Sequence, residues 1–533
     1  MMRRLGFLAA LFVAATTLRA QDIEMMARRN ARPLPPGYYQ RLLFEPDAFE
    51  LKRGWRNRLA RAEVTASSVA GILPLVVIPA LFSDSEAPTD IISTPVLQAR
   101  LFDELSPTTV TAFYREVSLG KLTIGGRVTP WATTNMPLQD VVGESMGLGS
   151  DAKVRQWLTQ AVASVDASVD FGQFDNDGPD GIPNSGDDDG RVDGAAFLFR
   201  EIDAACGGPG IWPHRSRIAS GTTPAAATND RRPNGQPIVV DDYMVLGARV
   251  CSGTRALDVN VFAHETGHVL GLPDYYDASG GLLRTQRRWV VGCWELMSAG
   301  SWGCGRGPQG DVVLPSHMGP YPKSLLGWIA PKVVAVGLRP EQHTLRPAYS
   351  SGDALRVPLS PSEYLLVEYR ARLGFDAGLP ASGLLVYHVE TGRSFLPCQT
   401  CPRRYSYSLL EADGDTALLR VETSGGNRGE GTDVFGVPRA VLDDVTLPSS
   451  RLNNGTSTGV RLTGMIVDAA AGLARVTVSL SPARFAVEAL ISALGLTPLA
   501  SADQTLLDSA GNANGRYDVG DLRAFLRIRA ENP

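Results

Sequence analysis

The chain has 533 residues, 44% of them hydrophobic and 20% charged, with a formal net charge of −5. At about 150 residues per domain this length holds three or four folding units, each able to bury a core, which excludes a chain disordered throughout. The slightly acidic balance excludes a whole-chain footprint for nucleic acid, and 55 glycines with 36 prolines in no Gly-X-Y period exclude collagen and predict many turns.

Residues 1–20 have the anatomy of a secretory signal peptide: Arg3 and Arg4, an apolar stretch from Leu5 to Val13, and small residues before a cut after Ala20. That stretch is shorter than the roughly 20 residues a membrane anchor needs. No later segment reads as transmembrane, so the chain is expected to be secreted. An even count of six cysteines agrees with export, and proximity in sequence suggests Cys206 with Cys251, Cys293 with Cys304 and Cys398 with Cys401. Residues 21–70, rich in Arg and Pro, read as a pro-segment or linker.

The run from Leu73 to Phe82 reads as a buried strand bounded by prolines and opens a mixed α/β domain over 71–331. Within it, residues 95–117 and 151–165 carry helical periodicity and residues 122–128 are extended. Over 332–481, short extended runs at 365–369, 384–389, 417–421 and 474–480 alternate with turn residues, which predicts an all-β, sandwich-like module. Residues 483–533 read as a small helical tail, with helices over 484–494 and 521–528 flanking a polar loop at 508–520.

The chemistry concentrates in His264-Glu265-Thr266-Gly267-His268. Imidazoles at i and i+4 on one helix face can meet a single zinc ion while Glu265 reaches its water as general base. With only six histidines in the chain, this spacing is a specific signal. Gly271 and Pro273 end the helix and turn the chain sharply. Asp274 then stands ten residues after His264, where the long zinc-protease motif brings back its third ligand. Asp277 and Glu295 are the alternatives for that position. Met297, among small residues, is expected to form a Met-turn floor under the ligands. A second donor to the developing oxyanion is sought in Tyr321, His317 or Tyr275.

Seven aspartates lie within the 19 residues from Asp175 to Asp193. Carboxylates this dense repel one another unless a cation neutralises them, so Asp175, Asp177, Asp180, Asp187, Asp189 and Asp193 are candidate calcium ligands, against the alternative of a solvated acidic loop. The tail loop resembles a dockerin-like calcium loop, with Asn512, Asn514 and Asp521 at matching offsets. Asp508 joins them only if the loop is two residues longer. That resemblance implies a cell-surface or cohesin-like partner for the tail.

The sequence Ala263-His264-Glu265-Thr266-Gly267-His268-Val269-Leu270-Gly271-Leu272-Pro273-Asp274-Tyr275-Tyr276-Asp277, followed by Leu296-Met297-Ser298-Ala299-Gly300-Ser301-Trp302 and Lys323-Ser324-Leu325-Leu326-Gly327-Trp328, resembles the immune inhibitor A family of secreted bacterial metallopeptidases. Looser matches, among them Ile211-Trp212-Pro213-His214 and Glu411-Ala412-Asp413-Gly414, extend the resemblance over about 70–440. It implies a zinc-dependent endopeptidase with bound calcium, accessory β modules and protein or peptide substrates. One departure is Phe197-Leu198-Phe199-Arg200-Glu201, where a plainer edge strand ending in His-Ala-Gly is expected for the substrate rim. Two other readings stand beside it: a surface adhesin or scaffold with a vestigial metal site, and a processing protease of narrow specificity.

Overall fold

In a computed structural model, the described residues are 69–531 apart from 86–90, 179, 221–222, 278–286, 305–312, 393–403 and 482–485. The signal peptide, nearly all of the 21–70 segment and the Cys398–Cys401 pairing lie outside them. The chain divides into two compact units. The first holds the chain up to Trp328 with Leu373–Leu379 and Leu419–Arg428. The second holds Ile329–Arg372, Pro380–Leu418 and the chain from Gly429.

The first unit begins with strand β1 (Gly71–Leu81), helices α1 (Thr94–Phe102) and α2 (Val110–Val117), and strands β2 (Leu122–Val128) and β3 (Ala132–Thr133). Helices α3 (Leu138–Val142) and α4 (Val154–Val165) follow, then β4 (Ala195–Phe199), β5 (His214–Arg217), β6 (Ala226–Arg231), β7 (Pro237–Val240) and β8 (Asp242–Gly247). The unit's helical part closes with α5 (Val259–Val269) and α6 (Pro320–Leu325). The main sheet has the order β2-β1-β4-β8-β5, with β3 also paired to β1. All its pairs are parallel except β8 with β5.

A parallel sheet needs cover on both faces, and the alternation of its side chains supplies two apolar surfaces. Phe197, Phe199 and Val245 join a core with Val154, Trp157, Leu158, Ala161, Val162 and Val165 of α4, whose spacing is that of one helix face. Phe82 stacks on Trp157 with ring centroids 4.9 Å apart. The intervening residues Leu198, Met244 and Leu246 are also buried.

Two expectations for this unit change. Residues 95–117 form two helices, because Pro107 disfavours helical backbone at Ser106 and Thr109 caps a fresh start by accepting a hydrogen bond from the Ala112 N–H at 3.1 Å. The segment 197–201 supplies no edge strand. β4 is fully buried between β1 and β8, and the antiparallel edge is β5, directly after Ile211-Trp212-Pro213.

The second unit contains β9 (Lys332–Val333), β10 (Glu341–Leu345), β11 (Ala354–Pro358), β12 (Glu363–Arg370), β13 (Gly383–Glu390), β14 (Tyr407–Leu409), β15 (Val460–Asp468) and β16 (Leu473–Leu480). A five-stranded sheet, β14-β13-β12-β11-β9, and a three-stranded sheet, β10-β16-β15, share one core. The expected strand at 417–421 is instead a 3₁₀ turn over Ala417–Leu419, its first N–H bonded to Asp415.

The tail forms three helices rather than two: α7 (Ala486–Ala493), α8 (Ser501–Ala510) and α9 (Val519–Glu531). Ala489, Leu507, Ala510 and Phe525 enter the same core as both sheets, so the tail is packed into the β module. No helix among the described residues is long and apolar enough to cross a membrane.

Candidate metal centre

α5 presents His264 and Glu265 on a buried face and His268 one turn on. It stops where the sequence requires. Gly271 adopts φ 105°, and the N–H groups of Gly271 and Leu272 return to the carbonyls of His268 and Gly267. The turn brings Asp274 back, so that its Oδ1 lies 3.1 Å from His264 Nε2 and 3.5 Å from His268 Nε2.

The other ring nitrogens decide what these atoms can do. His264 Nδ1 donates to the Leu296 carbonyl at 3.0 Å and His268 Nδ1 to the Leu272 carbonyl at 2.8 Å. In the neutral rings both Nε2 atoms therefore turn lone pairs toward a carboxylate oxygen. Without a cation, a proton must hold the three together. Burial pushes the His268 imidazole down, but the Asp274 and Glu265 charges outweigh it and hold it up at about 9. Burial likewise raises Asp274, and the neighbouring imidazoles more than reverse this, leaving its carboxyl well below the usual range.

A divalent ion is the natural replacement for that proton. Donors about 2.0–2.1 Å from a tetrahedral zinc stand roughly 3.3 Å apart, close to the separations seen here, and two imidazoles with a carboxylate form an acceptable donor set. The alternatives for the third ligand are engaged elsewhere. Asp277 pairs with Arg288 at 3.2 Å. Glu295 is fully buried and accepts the N–H groups of Gly319 and Met297.

Met297 is also fully buried, and its peptide carbonyl accepts the Tyr275 N–H at 2.7 Å, tying it to the residue after Asp274. Its sulfur occupies the space a side chain at Gly267 would need: a Cβ there would meet Sδ at 2.4 Å. Gly267→Ala normally favours a helix by about 1 kcal/mol. Here overpacking makes it destabilising by about 1–3 kcal/mol, which thermal unfolding will register as a lowered Tm.

His317 is not placed as an accessible donor. Its ring is buried, with Nε2 2.6 Å from Glu116 and Nδ1 3.4 Å from Lys323. Its contribution is indirect: its carbonyl accepts the N–H of Leu296, whose own carbonyl orients His264. Tyr321 is half-buried, its ring 6.1 Å from that of the buried Tyr275.

In the aspartate loop, carboxylate oxygens of Asp175, Asp177 and Asp189 come together within 4.8 Å. Asp175 is fully buried, its Oδ1 has no hydrogen-bond partner among the described residues, and burial followed by the neighbouring aspartate charges lifts its pKa to about 7. Asp180, Asp187 and Asp193 lie outside this trio. Each accepts a backbone N–H: Ile182 to Asp180, Asp180 to Asp187, and Asn176 to Asp193.

In the tail, Asp521 accepts the N–H groups of Asn512 and Asp518, and Asp508 accepts those of Asn514 and Gly515. The side-chain amides of Asn512 and Asn514 both turn to Asp518. A further acidic cluster not foreseen as such joins Glu411, Asp413 and Asp433, and Asp413 with Asp415 and Glu430. Burial, then the charge of Asp433, raises Glu411 to about 8. Glu411, Asp413 and Asp415 are close in sequence, but Glu430 and Asp433 stand 15 or more residues on, so the full cluster gives no local signal in sequence.

The cysteine pairs Cys206–Cys251 and Cys293–Cys304 are disulfides.

Residues 98–329 match the family described as "Immune inhibitor A peptidase M6, catalytic domain". Similar curated proteins include "Immune inhibitor A" of Bacillus thuringiensis subsp. alesti, 30% identical over 208 residues covering 36% of this chain and 28% of that protein. "Pre-pro-metalloprotease PrtV" of Vibrio cholerae serotype O1 (strain M66-2) is 25% identical over 202 residues, 36% of this chain and 21% of the relative. The matched stretch thus spans about a quarter of the length of these relatives. Over residues 98–329 the chain is similar to the catalytic domain of the immune inhibitor A peptidase family.

Proposed function

We propose that this protein is an exported zinc endopeptidase with calcium support. The observation that carries the reading is the convergence of three lone-pair donors, His264 Nε2, His268 Nε2 and Asp274 Oδ1, with each ring's other nitrogen committed to a carbonyl. These residues would hold zinc, which supplies Lewis acidity that polarises a peptide carbonyl and lowers the pKa of water toward about 7. Glu265 takes a proton from the attacking water and passes it to the leaving amine nitrogen. Met297, packed under Gly267, fixes the floor. Tyr321 is the remaining accessible candidate for a second donor to the carbonyl oxygen. The signal-like segment at 1–20 supports export.

Metal content together with a digest of a denatured proteome tests this reading. One zinc per chain and many cut sites are expected. A single cut would favour narrow processing, and no cut with no zinc would favour a scaffold.

Calcium belongs at Asp175, Asp177 and Asp189, where a buried carboxylate oxygen lacks a partner. Without the ion, Asp175 titrates near 7 when folded and near about 4 when unfolded. A carboxyl raised in this way stabilises the fold fully below its unfolded value and loses that contribution as pH rises through its folded value. Chelated protein should therefore melt lower at pH 8 than at pH 5, and calcium should raise Tm more at pH 8. Equal calcium shifts at both pH values would remove the ion from this loop.

A further inference from the structure

The loop that presents the Leu296 carbonyl to His264 is gripped from far along the chain. Two segments that fall within the second unit's stretch of sequence, Leu373–Leu379 and Leu419–Arg428, belong to the first unit. The Arg428 carbonyl accepts the Cys293 N–H at 2.6 Å, three residues before Leu296. Asp376 Oδ1 accepts the His317 N–H at 3.0 Å, and the His317 carbonyl in turn accepts the Leu296 N–H at 3.2 Å. A path of hydrogen bonds thus runs from Asp376 through His317 and Leu296 to His264 Nδ1.

The strap Leu373–Leu379 also fixes the His317 ring. α2 supplies Glu116, whose Oε1 accepts the Phe375 N–H at 2.9 Å and lies 2.6 Å from His317 Nε2. α6 supplies Lys323, whose ammonium is 3.4 Å from Nδ1 and can only donate. Nδ1 is therefore the acceptor, and Nε2 carries the proton given to Glu116. Phe113 packs edge to face against Phe375 at 5.1 Å and against His317 at 6.4 Å. Gly374 permits the close approach: it takes φ 57°, and a Cβ there would collide with the Glu116 carboxylate. His317, Phe375 and Asp376 are buried, whereas Gly374 is exposed. With its N–H, its carbonyl and both ring nitrogens engaged, His317 cannot shift without breaking several bonds, and any shift carries Leu296 with it.

We propose that Asp376 and Glu116 are positioning residues for the metal centre: acting through His317 and Leu296, they set the direction of the His264 lone pair. The strap then governs zinc affinity and turnover without touching ion or substrate. The inference rests on the zinc peptidase reading for what His264 does, and its test separates the two. A group that orients a metal-bound histidine directly is worth about 10–100-fold in affinity or activity. Asp376 stands further back along the path, so the lower end, about tenfold, is expected.

Full-length wild type, Asp376→Ala, Asp376→Asn and Gly374→Ala are compared in three ways: zinc competition against a dye, the visible spectrum of the cobalt-substituted protein, whose bands follow donor geometry, and kcat and KM on a casein peptide. Asp376→Ala should bind zinc about tenfold more weakly, shift the cobalt bands and lower kcat about tenfold at unchanged KM. Asp376→Asn keeps an oxygen acceptor and should restore most of each. Gly374→Ala, which pushes the strap off Glu116 from the surface, should move the same readouts in the same direction. A lower Tm in Asp376→Ala with zinc affinity, cobalt bands and kcat unchanged makes the strap a fold support only and overturns the inference. An Asp376→Asn as weak as Asp376→Ala overturns it too. Variants that weaken zinc in a protein that cuts no peptide overturn the peptidase reading and support the positioning role, while wild type that takes up neither zinc nor cobalt overturns both. If Asp376→Ala does not melt cooperatively, the other two decide: weakened zinc binding in Gly374→Ala beside near-wild-type binding in Asp376→Asn supports the role, and wild-type binding in Gly374→Ala overturns it.

Discussion

Glu265→Ala should abolish casein cleavage, lowering the rate by about 10²–10⁴-fold, while zinc stays bound at one ion per chain. The separation of the two readouts follows from the geometry. Glu265 is buried on the helix face beside His264, but the atoms that converge belong to His264, His268 and Asp274. Neither imidazole depends on Glu265 for its orientation, since one ring is held by the Leu296 carbonyl and the other by the Leu272 carbonyl. Truncating Glu265 therefore removes the proton carrier and leaves the donors standing. Elemental analysis and casein turnover on the same sample check both halves. Retained turnover would remove Glu265 as the base, and loss of zinc with loss of turnover would make it part of the metal cradle instead.

What could be read from sequence was what depends on short-range spacing. His264 to His268 is one helical turn, Gly271 and Pro273 compel the reversal, and Asp274 then falls into place whatever the rest of the chain does. The aspartate loop was legible for a similar reason, because its charges are adjacent. Which of its carboxylates converge was not legible, since all six accept a backbone N–H and only the path of the loop brings Asp175, Asp177 and Asp189 together.

The Glu411 cluster was hidden by separation, as Asp433 reaches it across a loop. Helical periodicity over 95–117 concealed a break that Pro107 and the Thr109 cap impose. The strand expected at 417–421 failed because apolar Ala417 and Leu418 are buried by a tight turn pinned at Asp415 and Glu411 rather than by a ladder. Helix α8 is not apparent in the sequence because Ser501-Ala502-Asp503-Gln504-Thr505 looks polar, and its contacts with the core come from its last turns, through Leu506, Leu507 and Ala510. His317 is the instructive case at the site. A histidine near a metal motif invites a chemical role, yet Glu116 and Lys323 claim its ring, and Glu116 lies in a distant segment whose proximity only the fold reveals.

Asp274→Ala should lower zinc affinity by more than the about 10–100-fold typical of losing a residue that only orients a ligand, and activity should fall with it. With Asp274 gone, two neutral imidazoles remain and the negative oxygen that made the site attractive to a dication is lost. The competing carboxylates give the controls. Asp277→Asn disturbs the bridge to Arg288 and the backbone pairing around it, and zinc should remain. Glu295→Gln weakens the acceptors for Gly319 and Met297, so it should cost stability, about 1–3 kcal/mol, while a folded sample still binds zinc. Competition of the three variants against a zinc-binding dye, with Tm measured beside it, ranks them. If Glu295→Gln loses zinc at an unchanged Tm while Asp274→Ala keeps it, the third ligand is Glu295, and the turn after Gly271 serves only to end the helix.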